Sequence, residues 1–396
     1  MSEKLFNSNP DREYSEIKRT TEEDPHFLET LKKEQSAETR YLFGARELNV
    51  IADLEKEASE EPNVELKEQK LSFVDQTLSW SLNMLHGIAT DPDNFFADLG
   101  FQTLTFEALE DSKIEQQLRQ VYPNAFTNEG GPQGETLVDT GDILQNIQAM
   151  PLPLYRTILE HHIECHKKSD AELQKKLPVM QKRFIDRLEK KILKQNSPVS
   201  KQQLEQKMKK VKVIAGDYLL YSDFTGADGD YNCSNAIAVI PTGEIMLVPT
   251  PDFDYEKYQE EVYTHEMMHA VSALALLSEQ SAEGNTVGMR IQRMGLLIEG
   301  RFRWLNEAVT EYLAIKATGR KDSNSYKTER EILQTMIDRG VPEHLFVEAY
   351  FSNQPLALKK LIKVINEKCG PQFLQDIDQV VDDYGEEEAL QEAKGV

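Results

Sequence analysis

The stretch 263–277, YTHEMMHAVSALALL, sets His265 and His269 four positions apart, with Glu266 directly after the first. Residues four apart on an α-helix are separated by about 6 Å of rise and share a face, so the two imidazoles point the same way. Two imidazoles so placed can hold one tetrahedral metal ion, while Glu266, turned by about 100 degrees, stands beside the ion without ligating it. HEMMH is thus an HExxH arrangement, a metal site with a carboxylate positioned to move protons. Val262, Met267, Ala270, Val271 and Leu274 supply an apolar side, which predicts a helix running beneath a core with its histidines facing a cleft. A buried carboxylate between two neutral imidazoles is costly unless a cation joins them.

A catalytic zinc site of this kind needs a third protein ligand and one open position. Downstream, RFRWLNEAVTEYLAIKATG reads as a second helix, with Leu305, Ala308, Val309, Tyr312 and Leu313 inward and Gly319 signalling its end. Glu307 and Glu311 share one face of it. Two carboxylates one turn apart on a largely apolar helix repel unless something positive lies beside them.

HEMMH followed by WLNEAVTE resembles the gluzincin clan of zinc metallopeptidases, which includes the thermolysin-like enzymes and the zinc aminopeptidases. The resemblance covers about residues 211 to 385 and extends loosely to HLFVEAYFSNQPLALKKLIKVINEKCGPQFLQDI, which looks like the helical lower half of such a domain. It implies that Glu307 is the third ligand of one Zn2+, beside His265 and His269. Glu311 would orient a ligand histidine from behind, and Glu266 would be the catalytic base. The interval from His269 to Glu307 is longer than in the best-known members, and a predicted hairpin in TVGMRIQRMGLLIEGRFRW accounts for the excess. The metzincin pattern HExxHxxGxxH is absent, since AVSALALL after His269 offers neither the glycine nor the histidine.

Other residues attract attention for less. Tyr350 in EAYF and His344 in PEHLF are candidate oxyanion donors by position. GEIMLVP, ahead of the first motif helix, is a candidate edge strand along which an extended peptide pairs. LEHHIECHKK gathers His161, His162, Cys165 and His166, a weak second metal pattern in a charged stretch, and Cys233 in DYNCSNA could cap a zinc ion.

The elements around these motifs divide the chain into three. Residues 1–35 are polar and charged and read as a mobile tail without a core of its own. Residues 36–210 are mainly helical: Leu71, Val74, Leu78, Leu82 and Leu85 form one stripe, and Leu173, Leu177, Met180, Phe184, Leu188 and Ile192 another. From 211 the texture changes to strands, with VKVIAGDYLLYSDF apolar and a Pro-Thr-Gly turn folding NAIAVIPTGEIMLVPTP into a hairpin. Residues 211–396 therefore read as an α+β, zincin-like domain of small mixed sheet, active-site helix and helical lower half, following an N-terminal region of unassigned purpose.

Composition excludes several classes. The 396 residues carry a formal net charge of -23, so nothing in the bulk electrostatics favours nucleic acid or an anionic membrane. No run approaches the roughly 20 apolar residues of a membrane span, and no apolar signal opens the chain, which predicts a cytoplasmic protein unless export proceeds without such a signal. The three cysteines form no CxxC pair, as in a reducing compartment. The expected reading is a zinc endopeptidase acting on a protein or peptide; the rival is a zinc-stabilised scaffold or effector whose main function lies in the N-terminal helices.

Overall fold

The computed structural model describes residues 18–20, 42–91, 95–127, 137–193, 199–217, 219, 236–239, 244–247, 255–280, 286–320 and 325–395. Cys233 and most of the 1–35 segment lie outside them. The chain has a helical majority with small sheets, an α+β arrangement.

The first strand, β1 (Lys18–Thr20), belongs to a sheet formed much later in the chain. Then come α1 (Ala45–Glu60), α2 (Val64–Ala89), α3 (Phe95–Glu110), α4 (Ser112–Val121), the short pair β2 (Phe126–Thr127) and β3 (Leu137–Val138), and α5 (Thr140–Gln145). Side-chain caps set two of these starts: Asn63 accepts from the Glu65 and Leu66 amides, and Asp111 from those of Lys113 and Ile114. The buried face of α2 is Val74, Leu78, Ser81, Leu82 and Leu85. Ser81 belongs to it because its hydroxyl bonds Tyr155 Oη at 2.8 Å. Leu71 is exposed, against the expected stripe, because it lies in the N-terminal part of α2, where residues 62–73 are exposed apart from a half-buried Lys70.

The long helix α6 (Leu152–Lys191) joins two cores. Leu154, Tyr155, Ile158 and Leu159 close the core of the preceding helices, whereas Leu173, Met180, Phe184, Ile185 and Leu188 enter the core of everything that follows. Packing therefore divides the molecule inside α6, upstream of the change in sequence texture near 210. The basic helix read from Leu173 to Ile192 is anchored by its apolar stripe, as its spacing predicts.

After α7 (Lys201–Met208), β4 (Lys212–Ala215), β5 (Ala236–Val239) and β6 (Glu244–Leu247) form a sheet in the order β4-β6-β5. The predicted hairpin is β5–β6, antiparallel with Val239 opposite Glu244, while β4 pairs β6 in parallel. β6 is consequently interior and buried along its length, so GEIMLVP is not the edge expected of it. Among the described residues the edge strand beside the motif helix α8 (Tyr255–Val271) is β5.

α8 stops at Val271, and Leu274 opens β7 (Leu274–Gln280) instead of extending the helical face. Ser272 closes the last turn, its amide and hydroxyl both donating to His269 O. Lys207 donates to the Val271 and Ser272 carbonyls at 3.0 and 2.6 Å, a cation on the negative end of the helix dipole. β7 pairs with β8 (Thr286–Met294), and β8 turns through Gly295 into β9 (Leu297–Ile298). β1 lies antiparallel on the outer side of β7, with Lys18 opposite Gln280, so at least these residues of the expected tail join the sheet. The second motif helix, α9 (Arg303–Thr318), follows, and α10 (Lys327–Asp338), α11 (Glu343–Phe351), α12 (Pro355–Cys369), α13 (Phe373–Tyr384) and α14 (Glu386–Lys394) complete the chain. Among the described residues no helix is long and apolar enough to cross a membrane, and Cys165 and Cys369 are free thiols.

A polar latch ties the two cores beside α6. Asp217, just past β4, accepts from the Phe43 and Leu219 amides, both at 2.6 Å, and Leu219 inserts among the N-terminal helices. His162 bridges Asp217 Oδ2 at 3.3 Å and Glu107 Oε2 at 2.5 Å. Burial opposes its charge, but the hydrogen bonds to Asp217 and Glu107 outweigh that and push its pKa up to about 10. Of LEHHIECHKK, His162 is committed to this junction, His161 Nε2 lies 3.0 Å from Glu107 O with Cys165 Sγ beside it, and among the described residues the stretch forms no group able to hold a metal.

A histidine whose pKa is raised by folding contributes stability that is complete below its unfolded value, about 6.5, and is lost as pH rises through the folded value. His162→Gln should therefore be less stable than wild type by about 3–5 kcal/mol near neutrality, as for a broken buried pair. The gap should shrink on approaching the His162 pKa of about 10. Urea unfolding of both proteins across that range measures it, and a pH-independent gap would show that the imidazolium is not the stabilising species.

Candidate metal centre

α8 and α9 pack against each other, and their packed apolar residues decide which side chains meet between them. Tyr263, Met267, Met268 and Val271 of α8 and Ala308, Val309 and Leu313 of α9 are all in the second core. What remains on the facing surfaces is polar. Fixing the start of α9 takes a non-glycine residue in the left-handed region, Phe302 at φ 64, whose amide donates to Asp378 Oδ1 at 2.8 Å while Arg301 Nε donates to Oδ2 at 3.0 Å.

Three ligand atoms converge. His265 Nε2 and His269 Nε2 are 3.2 Å apart, Glu307 Oε2 is 3.1 Å from His269 Nε2, and it is 3.4 Å from His265 Nε2. A tetrahedron with zinc–ligand bonds of about 2.0–2.1 Å has edges of about 3.3 Å. The triangle is thus one face of such a tetrahedron, and among the described residues these three form the group able to hold a metal ion. The histidines are buried and Glu307 is partly exposed.

The same residues perturb one another's titration. Burial raises the Glu307 pKa, but the nearby His269 and His265 outweigh it and hold the carboxyl below the usual carboxylate range. Burial lowers that of His265, but hydrogen bonds to Glu307 and Glu311, with the charge of Glu266, push it up to about 10. Both shifts favour positive charge beside the carboxylates of Glu266, Glu307 and Glu311.

Each ligand imidazole is held from behind. With Nε2 as the ligand atom, His265 Nδ1–H donates to Glu311 Oε2 at 3.0 Å. Thr310 Oγ1 lies 3.4 Å from His269 Nδ1, donates to Asn306 O at 2.7 Å, and accepts from the Tyr350 hydroxyl at 2.7 Å. Tyr350 is therefore a buried support behind His269, not a donor in a cleft, and His344 is exposed on α11. Glu266 is buried on α8 beside His265. Thus His265, His269, Glu307 and Glu311 meet at one place, with Glu266 at its side.

Asn306, Thr310, Arg320 and Tyr326 belong to the site's surroundings and carried no periodic signal of their own. Asn306 Oδ1 accepts from the Leu296 amide at 3.0 Å, which orients its Nδ2 toward Glu307 Oε1 at 3.4 Å. This fixes the β8–β9 turn as the floor of the site.

Gly295 is required there. It sits at φ 57, and an added Cβ would fall 2.5 Å from Asn306 Oδ1 and 2.8 Å from Tyr350 Cε2. Gly300, at φ 82, has open space around such an atom. Gly300→Ala should cost about 1–2 kcal/mol for the left-handed backbone alone. Gly295→Ala should cost a further ~1–3 kcal/mol for the clash. Denaturant midpoints compare them, and equal losses would mean that the floor yields freely.

Comparison of the chain with protein-family models, with curated proteins and with solved structures finds no match.

Proposed function

We propose that the chain is a zinc-dependent endopeptidase of gluzincin type, with a zincin-like catalytic domain. The observation that carries this reading is the triangle of His265 Nε2, His269 Nε2 and Glu307 Oε2, one tetrahedral face to which the described residues bring three donor atoms and no fourth. A structural zinc site is closed by a fourth protein ligand, whereas a hydrolytic one keeps that position for water. When bound, zinc would lower the pKa of water in that position toward about 7 and polarise a scissile carbonyl.

The chain's own residues supply the rest. His265, His269 and Glu307 hold the ion. Glu266 accepts a proton from the attacking water and returns it to the leaving amine, a task for which a carboxylate beside two ligand histidines is suited. Glu311 keeps the proton of His265 on Nδ1, so that Nε2 keeps its lone pair for the ion. The edge strand β5, alongside α8, offers backbone groups to an extended peptide, which makes a protein or peptide the substrate class. Glu266 also separates this reading from a zinc-stabilised scaffold, which has no use for a buried general base.

The test pairs metal content with turnover. The purified chain should bind about one zinc, and His269→Ala and Glu307→Gln should lose it. Glu266→Gln keeps shape and hydrogen-bonding reach but cannot take the proton, so it should retain zinc and fold while hydrolysis of a diverse peptide library falls by about 10²- to 10⁴-fold. A chelator should silence the wild type and added zinc restore it. Hydrolysis by Glu266→Gln at the wild-type rate would rule the mechanism out whatever the metal content, and a zinc-loaded wild type that cuts nothing would favour the scaffold.

A further inference from the structure

The residue that secures the back of the metal site comes from beyond the end of α9. Gly319, at φ 80, ends that helix, and Arg320 immediately after it turns back toward α8 and α9. Its Nη2 donates to Glu311 Oε1, and its Nη1 donates to Glu261 Oε2 at 3.2 Å. Glu261 stands one turn ahead of His265 on α8. One guanidinium thus spans a carboxylate from each motif helix. The other oxygen of Glu311 receives the His265 Nδ1–H, giving an unbroken chain from Arg320 through Glu311 to the imidazole.

Charge shows why this link matters. Glu311 is 2% exposed, so its negative charge must be met inside the protein. An imidazole that gives Nε2 to a metal ion is neutral and offers Glu311 one N–H, not a full positive charge. Arg320 is then the cation in direct contact with Glu311, and its planar fork can serve two carboxylates where an ammonium serves one well.

The same connection returns to the site at its other end. Tyr326, the N-cap of α10, lies over the His265 ring with centroids 5.4 Å apart and planes 11° from parallel. It does so at φ 50, in the left-handed region where a bulky side chain is strained. Such strain persists where the surroundings impose it, and it concentrates at functional sites. His265 is held at its edge by Glu311 and at its face by Tyr326, both governed by residues flanking one connection.

We propose that Arg320 and Tyr326 form a clamp that positions His265 for metal binding: Arg320 is a positioning residue acting through Glu311, and Tyr326 covers the face of the imidazole. The inference rests on the zinc reading of the site, and its readouts are chosen to be independent of turnover. The full chain carries Arg320→Met, Arg320→Lys, Tyr326→Phe or Tyr326→Ala. Zinc affinity is measured by competition with a chromophoric chelator, and ligand geometry by the visible spectrum of the cobalt-substituted protein.

Arg320→Met should bind zinc about 10- to 100-fold more weakly, the usual effect of losing support behind a ligand, and should change the cobalt spectrum. Arg320→Lys should recover part of the affinity yet keep an altered spectrum, because charge returns without the fork. Tyr326→Phe, which retains the stack, should match wild type, and Tyr326→Ala should not. Wild-type affinity and spectrum in Arg320→Met would overturn the proposal; if that variant does not fold, wild-type behaviour of Arg320→Lys would overturn it. A wild type that binds zinc but hydrolyses no peptide counts against the peptidase reading alone, and the clamp is still decided by affinity. A wild type that binds no zinc removes both.

Discussion

Carboxylates and imidazoles buried together stay together only around a positive charge, and the second core of this protein is organised on that constraint. Glu266 and Glu311 are as buried as the methionines beside them, and Glu307 is close to it. Packing alone would discard every one of these groups. Their cost is tolerable where a cation sits among them, whether a proton on His265, the guanidinium of Arg320, or a metal ion in the ligand triangle. The apolar residues of α8 and α9 bring the helices together, and the charged ones decide what must lie between.

Precision at the triangle comes from the ends of elements. The site is bounded by the C-terminus of α8, the turn between β8 and β9, the start of α9 and the connection after it. Each is fixed by a specific polar contact: Lys207 on the last carbonyls of α8, Asn306 on Leu296, Asp378 on Arg301 and Phe302, Arg320 on Glu311 and Glu261. Phe302, in the left-handed region, precedes α9 and Gly319 ends it, while Tyr326, also left-handed, precedes α10. Regular structure supplies the spacing between ligands, and irregular structure sets their orientation.

This division explains what could be read from the sequence. The spacing of His265 and His269, the facing pair Glu307 and Glu311, and the apolar stripes of α6 and α9 are periodic, and periodicity survives folding because it is a property of the helix itself. The hairpin of β5 and β6 was legible from its turn. By contrast, Leu274–Leu277 continue an apolar run that a helix or a strand could accommodate equally, and the choice was made by Ser272 and Lys207, the second of which lies far upstream. The interior place of β6 depends on the parallel pairing with β4, which leaves no local mark. Leu71 fails its stripe because the helix extends beyond the core at that end, which periodicity does not reveal. Arg320 looks like any charged residue after a helix-ending glycine; only the closure of α9 against α8 gives it two carboxylates.

The comparison of two histidines shows what distinguishes a site from a joint. His162 and His265 are both buried, both lie between two carboxylates, and both have pKa values pushed up to about 10. Perturbation and burial therefore do not separate them. Their geometry does. Each ring nitrogen of His162 faces a carboxylate on a different element, Glu107 on α3 and Asp217 after β4, so the imidazolium is used up as a strut between two cores. His265 commits Nδ1 in the same way, to Glu311, but its Nε2 opens onto a second imidazole and a second carboxylate at distances that close a triangle. A strut is satisfied by one proton and gains nothing from a third donor atom. The donor atoms of His265, His269 and Glu307 lie instead at the edge lengths of one face of a tetrahedral metal site. Convergence of donor atoms, rather than the strength of any one perturbation, makes the place at His265 the candidate metal centre and leaves His162 a joint.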